Sequence, residues 1–405
     1  MEITSPQSRR DAARVFGHRS ALADTLRIDF ANASLGVPLR VGAAVGVVLV
    51  VGGLLGQFAL AGFAALGSLV SAFCRTDPYR VRAGRLLVLG VALTVSLVTG
   101  SVLGAMSANM WTEIAVLSIL GGAAALLVGA LHISGPGAVV FVFGATGAAG
   151  YAQSFGDVGR VAVATAAGAV CGIVASLAPW ILAVVRRWFA SARSRVSGHR
   201  TPREARSRAA TVTATGSAGN GPGYESVRTC LTSRPHTDHL HTAARIVVAS
   251  AISGVVAVAF GLSHPLWASM GAVAAMQGIR YHRTVQRGIA RLVGNVVGGL
   301  IAAALLALPL GHWGAIAAIV VLQIVAEICA PWNYAITSAV VTPMALLMTA
   351  LSVGLHPSIA IDRVLDTLVG VVIGIVIALL TVTRPDIDGL LESTGMRHPG
   401  AGTAS

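Results

Sequence analysis

Ser263–Gly299 reads SHPLWASMGAVAAMQGIRYHRTVQRGIARLVGNVVGG, and this stretch decides the fold. An apolar run opens on His264-Pro265, carries Trp267 and ends in a basic turn with Arg280, Arg283, Arg287 and Arg291. A second apolar, glycine-rich run follows at once. Arginines between two apolar runs mark a short loop held on one side of a membrane, with the long side chains reaching back to the interface. Working outward, Phe63–Leu93 is a looser copy, FAALGSLVSAFCRTDPYRVRAGRLLVLGVAL, with Arg75, Arg80, Arg82 and Arg85 in its turn.

Composition agrees. Of 405 residues, 55% are hydrophobic and 11% charged, and the mean hydropathy is +0.77. A soluble domain carries about 25% charged residues. The chain is therefore an all-α polytopic membrane protein. Its net charge of +13 does not signal nucleic-acid binding, because nearly every arginine lies outside the apolar runs, where it serves as a topology signal. All 29 basic residues are arginine. Cys74, Cys171, Cys230 and Cys329 have no metal or disulfide spacing and read as small packing residues.

Membrane spans need about 17–25 residues. Six apolar runs precede the middle of the chain: 37–56, 58–75, 84–106, 112–131, 136–152 and 160–185. The fifth follows Gly135-Pro136-Gly137 and is open to a re-entrant reading. Six more follow, at 243–262, 265–279, 288–309, 313–330, 334–350 and 359–381. The expected organisation is an arm at 1–36, a first membrane half at 37–185, a linker at 186–242, a second half at 243–382 and a tail at 383–405. The linker is basic, then Ser/Thr/Gly-rich, and reads as partly disordered. Its first residues, with Trp188 and Phe189, either lie on anionic lipid or extend the sixth helix. With the amino terminus inside, the arm, both basic turns, the linker and the tail all fall inside, and Arg160 and Arg363 alone fall outside. The charge asymmetry thus predicts twelve spans with both termini cytoplasmic.

The halves form a repeat. Arg40 and Arg245 each sit near the start of a first span, and a basic turn follows each second span. Arg160-Val161 and Arg363-Val364 each open a last span, followed by Gly168/Gly172 and Gly370/Gly374. Even-numbered halves make two parallel six-helix repeats, with a path or cavity expected at their interface. GxxxG spacing, also at Gly42/Gly46, Gly100/Gly104 and Gly294/Gly298, predicts close helix packing.

Chemistry is sparse. There is no G-x-x-x-x-G-K-[ST] loop, no H-E-x-x-H and no motif for a Ser/His/Asp set, so neither an ATP-driven pump nor an enzyme is expected. Glu327 and Asp366 are the acids well inside predicted spans. Ionisable groups there are costly and are functional candidates, here for proton coupling. The alternative for each is a structural role, such as Asp366 paired with Arg363. The basic turns are topology and headgroup contacts, or a funnel for anions. Arg287 and Arg291 share a helical face, and arginine grips carboxylates through two parallel hydrogen bonds. Arg40 and Arg245 lie further inside. Trp267, Trp313 and Trp332 read as interface belt, with stacking on an aromatic substrate as the alternative for Trp267. His236, Asp238, His239 and His241 are of metal-binding types without a partner cluster, and no metal or other cofactor is expected.

These residues carry a family likeness. His264, Pro265, Trp267 and Ala268, then Thr284, Arg287, Arg291 and Gly294, resemble the H-P-x-W-A and T-x-x-R-x-x-x-R-x-x-G signature of the fusaric acid resistance (FUSC-like) family, aromatic acid exporter group. RVLDTLVG at Arg363–Gly370 and TSAVVTPMALL around Thr342 are similar to it as well. The likeness is clearest over 243–382 and weaker over 37–185. It implies an inner-membrane secondary exporter of aromatic carboxylic acids or related amphipathic compounds. More distantly, the chain is similar to plant malate channels whose six-span subunits pair. Two departures stand out. Large soluble domains found after each half in many members are replaced here by the linker and tail. The first half has Gly62-Phe63-Ala64-Ala65 where the H-P-x-W pattern would fall.

The expected function is proton-driven export of aromatic carboxylates or similar small organic anions. The anion path would involve Arg40, Arg245, Arg287, Arg291 and Trp267, and coupling would fall to Asp366 and Glu327. Expected partners are the anion and membrane lipid, with a homo-oligomer left open and no nucleic acid. The alternatives are a passive anion channel and a non-transporting scaffold presenting the basic linker. A scaffold should bury Glu327 and Asp366 in closed pairs, with no cavity between the halves.

Overall fold

The computed structural model describes residues 35–196, 230, 237–277, 281–353 and 359–381. The arm before them, most of the linker, the tail, Arg280 and His236 lie outside the described residues. The first half contains α1 (Gly36–Leu54), α2 (Phe58–Ser68, prolonged by a 3-10 turn at Leu69–Ala72), α3 (Tyr79–Ala105), α4 (Met110–Ala130), α5 (Val139–Tyr151) and α6 (Phe155–Val196). The second contains α7 (Thr237–Ala259), α8 (Pro265–Met276), α9 (Tyr281–Ala307), α10 (Gly311–Cys329), α11 (Tyr334–Val353) and α12 (Ile359–Leu380). No strand occurs among the described residues. The basic start of the linker continues α6 as helix to Val196.

The twelve predicted runs are twelve helices, but among the described residues nine are long and apolar enough to cross a membrane. The exceptions are α2 with its 3-10 turn, α5 and α8. The 12 residues of α8 rise about 18 Å, against about 30 Å of hydrocarbon. The reason for the shortfall is burial. Every residue of α8 from Trp267 to Met276 is buried, so the helix ends inside protein rather than in lipid. Broken backbone at membrane depth is tolerated where protein satisfies it. Gln277, which caps α8, does this for α5 across the halves. With the amide oriented by its neighbours, its oxygen accepts from the backbone of Val139 at 2.8 Å, and its nitrogen donates to the Pro136 carbonyl at 3.3 Å. Gly137, at φ +84°, leaves the space this side chain occupies: a Cβ there would lie 2.8 Å from Gln277 Cδ.

The halves repeat in packing as well as in order. α2 crosses α6 as α8 crosses α12, and α3 meets α5 as α9 meets α11. The halves join reciprocally, α4 on α7 and α1 on α10, as a pseudo-two-fold arrangement requires. Glycine makes the crossings possible. A Cβ on Gly168 would come within 2.9 Å of Ala64 Cα, and one on Gly370 within 2.9 Å of the Ala272 nitrogen. Ala64 and Ala268, Ser68 and Ala272, and Gly172 and Gly374 occupy corresponding places. At the α1–α10 seam, Phe58 stacks on His312 at 4.3 Å; at the α4–α7 seam, Ser118 donates to Ser250 at 3.1 Å. Ile361, Leu365, Leu368, Val372 and Val376 form an exposed apolar stripe on α12, the side turned to lipid.

Aligning the halves on these glycines corrects one pairing from the sequence. Val161, not Arg160, corresponds to Arg363. One residue turns a helical side chain by about 100°. Arg160 accordingly points outward and is 67% exposed, whereas Arg363 is 4% exposed.

Candidate functional site

The face carrying the turns after α2, α4 and α8, from which the linker leaves, is called the linker face below; the opposite one is the far face. At the far face, Pro265 starts α8, where a missing N–H costs nothing and the fixed φ suits the first turn. His264 precedes it, and its ring stacks on Trp267 at 4.3 Å and 12°. The Arg363 guanidinium lies 4.8 Å from the Trp267 ring centroid and 5.9 Å from that of Phe143. A cavity of about 310 Å³ opens here between the halves. Glu113, Phe143 and Thr146 line it from the first half; His264, Trp267 and Thr349 line it from the second. His264 Nδ1 is 3.6 Å from Asp362. Burial lowers the His264 pKa below its usual 6.5; the Asp362 charge works against that shift and the Arg363 charge adds to it.

One turn deeper lies Asp366, 1% exposed, and neither of its carboxylate oxygens has a hydrogen-bond partner among the described residues. It is about 10 Å along α12 from Ile359. Polar side chains continue from it through the second half. Asn295 donates to Thr367 at 2.6 Å, and Thr342 donates to Asn295 at 2.5 Å. Ser338 reaches the Arg291 carbonyl at 3.4 Å. Below that, Arg287 lies over the Tyr334 ring at 4.5 Å, and Tyr334 has Arg287 and Arg291 as hydrogen-bond partners. A column of polar groups thus runs from the far face towards the linker face. It is built from α8, α9, α11 and α12, inside one half rather than along the seam between halves.

The structure therefore gathers Trp267, Asp366, Arg291 and Arg287, and keeps three other predicted residues apart from them. Arg40 donates to the Gly36 carbonyl of its own helix at 2.9 Å. Arg245, on α7, points at the Ala378 carbonyl near the end of α12, 3.5 Å away. Glu327 forms a buried ion pair with Arg75 across the halves and accepts from Gln323 at 3.1 Å. The two acids thus differ: Glu327 is in a closed pair and Asp366 is not.

The two basic turns differ too. In the first half, Arg85 pairs with Asp77 at 2.8 Å, Arg75 with Glu327, and Arg82 donates to the Arg75 carbonyl. Cys74 beside them has its thiol pushed up to about 12, first by burial and then by the Asp77 charge, so it stays protonated. In the second half, no carboxylate among the described residues lies within ion-pair distance of Arg287, Arg291 or Arg363. The first half also lacks the far-face site. Leu60, Phe63, Val161 and Ala164 stand where the second half has His264, Trp267, Arg363 and Asp366.

Arg363, Asn295, Thr342, Thr367, Tyr334 and Phe143 were not singled out as site residues by sequence reasoning. Asn295 and Thr342 carried a signal, being polar residues within apolar runs. Phe143 carried none, because it comes from the other half.

The family described as fusaric acid resistance protein-like matches residues 250–377. The matched stretch takes in α8 to α11, most of α12 and part of α7, and with them every member of the polar column. This bears out the FUSC-like resemblance drawn from the residues. That family is one of membrane transport and efflux. No curated protein and no solved structure matches the chain.

Proposed function

We propose that this chain, a multi-pass membrane protein with a FUSC-like second half, exports small organic anions, aromatic carboxylates first among them, with proton coupling at Asp366. The observation that carries this reading is Asp366, buried and without a hydrogen-bond partner among the described residues, at the head of a polar column within one membrane half. A carboxyl that no hydrogen bond or ion pair closes among the described residues can gain and lose a proton during a cycle. A closed ion pair such as Arg75–Glu327 is held in one state, so Glu327 is assigned to structure. A scaffold that only displays its linker has no use for an unpaired buried acid or for a cavity between its halves, so both features favour transport. The reading places the linker face in the cytoplasm, in line with the positive-inside asymmetry, and the chain in the cell's inner membrane. The expected partners remain the anion and lipid.

Transport of a panel of aromatic acids into inverted vesicles, with and without an imposed proton gradient, tests this. Benzoate-like anions should accumulate, and the proton gradient should change the extent. Asp366→Asn, which keeps the shape and removes the charge, should insert normally and lose the gradient dependence while downhill exchange survives. Accumulation of none of the acids counts against the exporter. Downhill flux that never concentrates the anion, in the parent as in the variant, would identify a passive channel.

A further inference from the structure

We propose that Arg363 is the anion anchor of the cavity between the halves, taking a carboxylate past Trp267 and Phe143. This rests on the transport reading above and adds the residue that holds the cargo.

Arg291 and Arg363 are both buried in the second half, and Asp366 is the buried acid beside them. Asp362, near the far face, is half-buried and faces His264. Glu113 of the first half, also half-buried, lines the same cavity. Among the fully buried groups, two arginines face one carboxylate, which leaves one positive charge over. Burying an uncompensated charge is costly, and more so at membrane depth. The Nε atoms of both arginines are buried and lack a hydrogen-bond partner among the described residues. A monovalent anion at Arg363 would offset the surplus charge and give that arginine's Nε a partner, and a carboxylate fits a guanidinium through two parallel hydrogen bonds.

The position of Arg363 identifies the side from which the anion comes. Trp267 and Phe143 line the cavity, and the guanidinium sits against both rings. The cavity volume of about 310 Å³ suits a one-ring molecule. A ring in the cavity would lie against His264, Trp267 and Phe143, with its carboxylate directed at Arg363. Asp366, one turn deeper on the same helix, is then the internal anion that competes with the ligand for the same positive charge.

The test uses the full chain in lipid nanodiscs, with benzoate, benzamide and chloride as probes and tryptophan fluorescence and calorimetry as readouts. Benzoate should bind at least tenfold more tightly than benzamide, its neutral isostere, and chloride should not displace it at equal concentration. Arg363→Gln should abolish benzoate binding, and Arg363→Lys, which keeps the charge without the fork, should weaken it about tenfold. Asp366→Asn should tighten it, since the competing charge is gone. Parent-like affinity in Arg363→Gln, equal binding of benzamide, displacement by chloride, or weaker binding in Asp366→Asn would each overturn the anchor. The probe comparison on the parent and the sign of the Asp366→Asn effect decide the matter even if Arg363→Gln does not fold. Transport of benzoate by a parent whose binding ignores Arg363 would sink the anchor and leave the transporter. Arg363-dependent binding without any transport would do the reverse.

Discussion

Removing either partner of the Arg75–Glu327 pair should destabilise the protein, but by unequal amounts. The pair ties the turn after α2 to the end of α10, next to the α1–α10 seam. The Glu327 side chain is 7% exposed and that of Arg75 24%. Losing one member of a buried pair typically costs about 3–5 kcal/mol, because a charge is left unmatched. Arg75→Gln leaves the charge on the deeper residue, with Gln323 as its remaining partner, so about 3–5 kcal/mol is expected. In Glu327→Gln the remaining arginine keeps its bond to the Ala72 carbonyl at 3.1 Å and can turn towards water, so the cost should be nearer 2 kcal/mol. The double variant Arg75→Gln/Glu327→Gln has no charge to strand, and should be more stable than Arg75→Gln alone. Reversible unfolding of the four proteins in mixed micelles gives the cycle directly. A Glu327→Gln variant less stable than Arg75→Gln, or a double variant that loses the sum of both, would refute the pair as the source of this stability. The same Glu327→Gln protein should transport with the pH dependence of the parent, since the pair is structural; loss of that dependence would return Glu327 to the coupling path.

Further expectations concern other parts of the molecule. Gly370→Ala and Gly168→Ala each push a Cβ into backbone that cannot yield, and each should cost about 1–3 kcal/mol in the same unfolding assay. Only Gly370→Ala should also weaken benzoate binding, because only the α8–α12 crossing carries the site; equal binding losses would contradict the asymmetry of the halves. Burial lowers the His264 pKa below 6.5, so the unfolded chain binds more protons than the native one between the lowered value and 6.5. Its contribution to stability is constant above that range and is lost as pH falls through it. The stability difference between the parent and His264→Gln should therefore be flat above pH ~7 and shrink on acidification; a difference that grows instead would mean His264 gains its proton on folding. Thr342→Val should cost about 1–3 kcal/mol by stranding the Asn295 amide oxygen, and no loss would argue against the buried network. Reporters fused near Asn220 and at the carboxyl terminus should both behave as cytoplasmic; one reading from outside would break the proposed orientation.

The sequence by itself determined the class of this protein and the order of its helices. Apolar runs of helical length, separated by arginine-bearing turns, have few solutions other than a bundle in lipid, since lipid forces backbone polar groups to pair within each helix. The GxxxG spacings marked the crossings at Gly168/Gly172 and Gly370/Gly374, because close approach of two helices demands small residues wherever it occurs. The scarcity of acids in apolar runs picked out Glu327 and Asp366. What sequence could not decide was which of these helices are long enough to cross a membrane and which of these charges are matched. Runs 58–75 and 265–279 are as apolar as spans, and their shortness as helices follows from being wrapped by protein instead of lipid, a matter of neighbours. Glu327 and Asp366 look alike along the chain. Arg75, 252 residues away, closes the first into a pair, while nothing among the described residues does so for the second. The cavity, too, exists because Phe143 and Glu113 of one half face His264 and Trp267 of the other, a contact that only tertiary packing supplies.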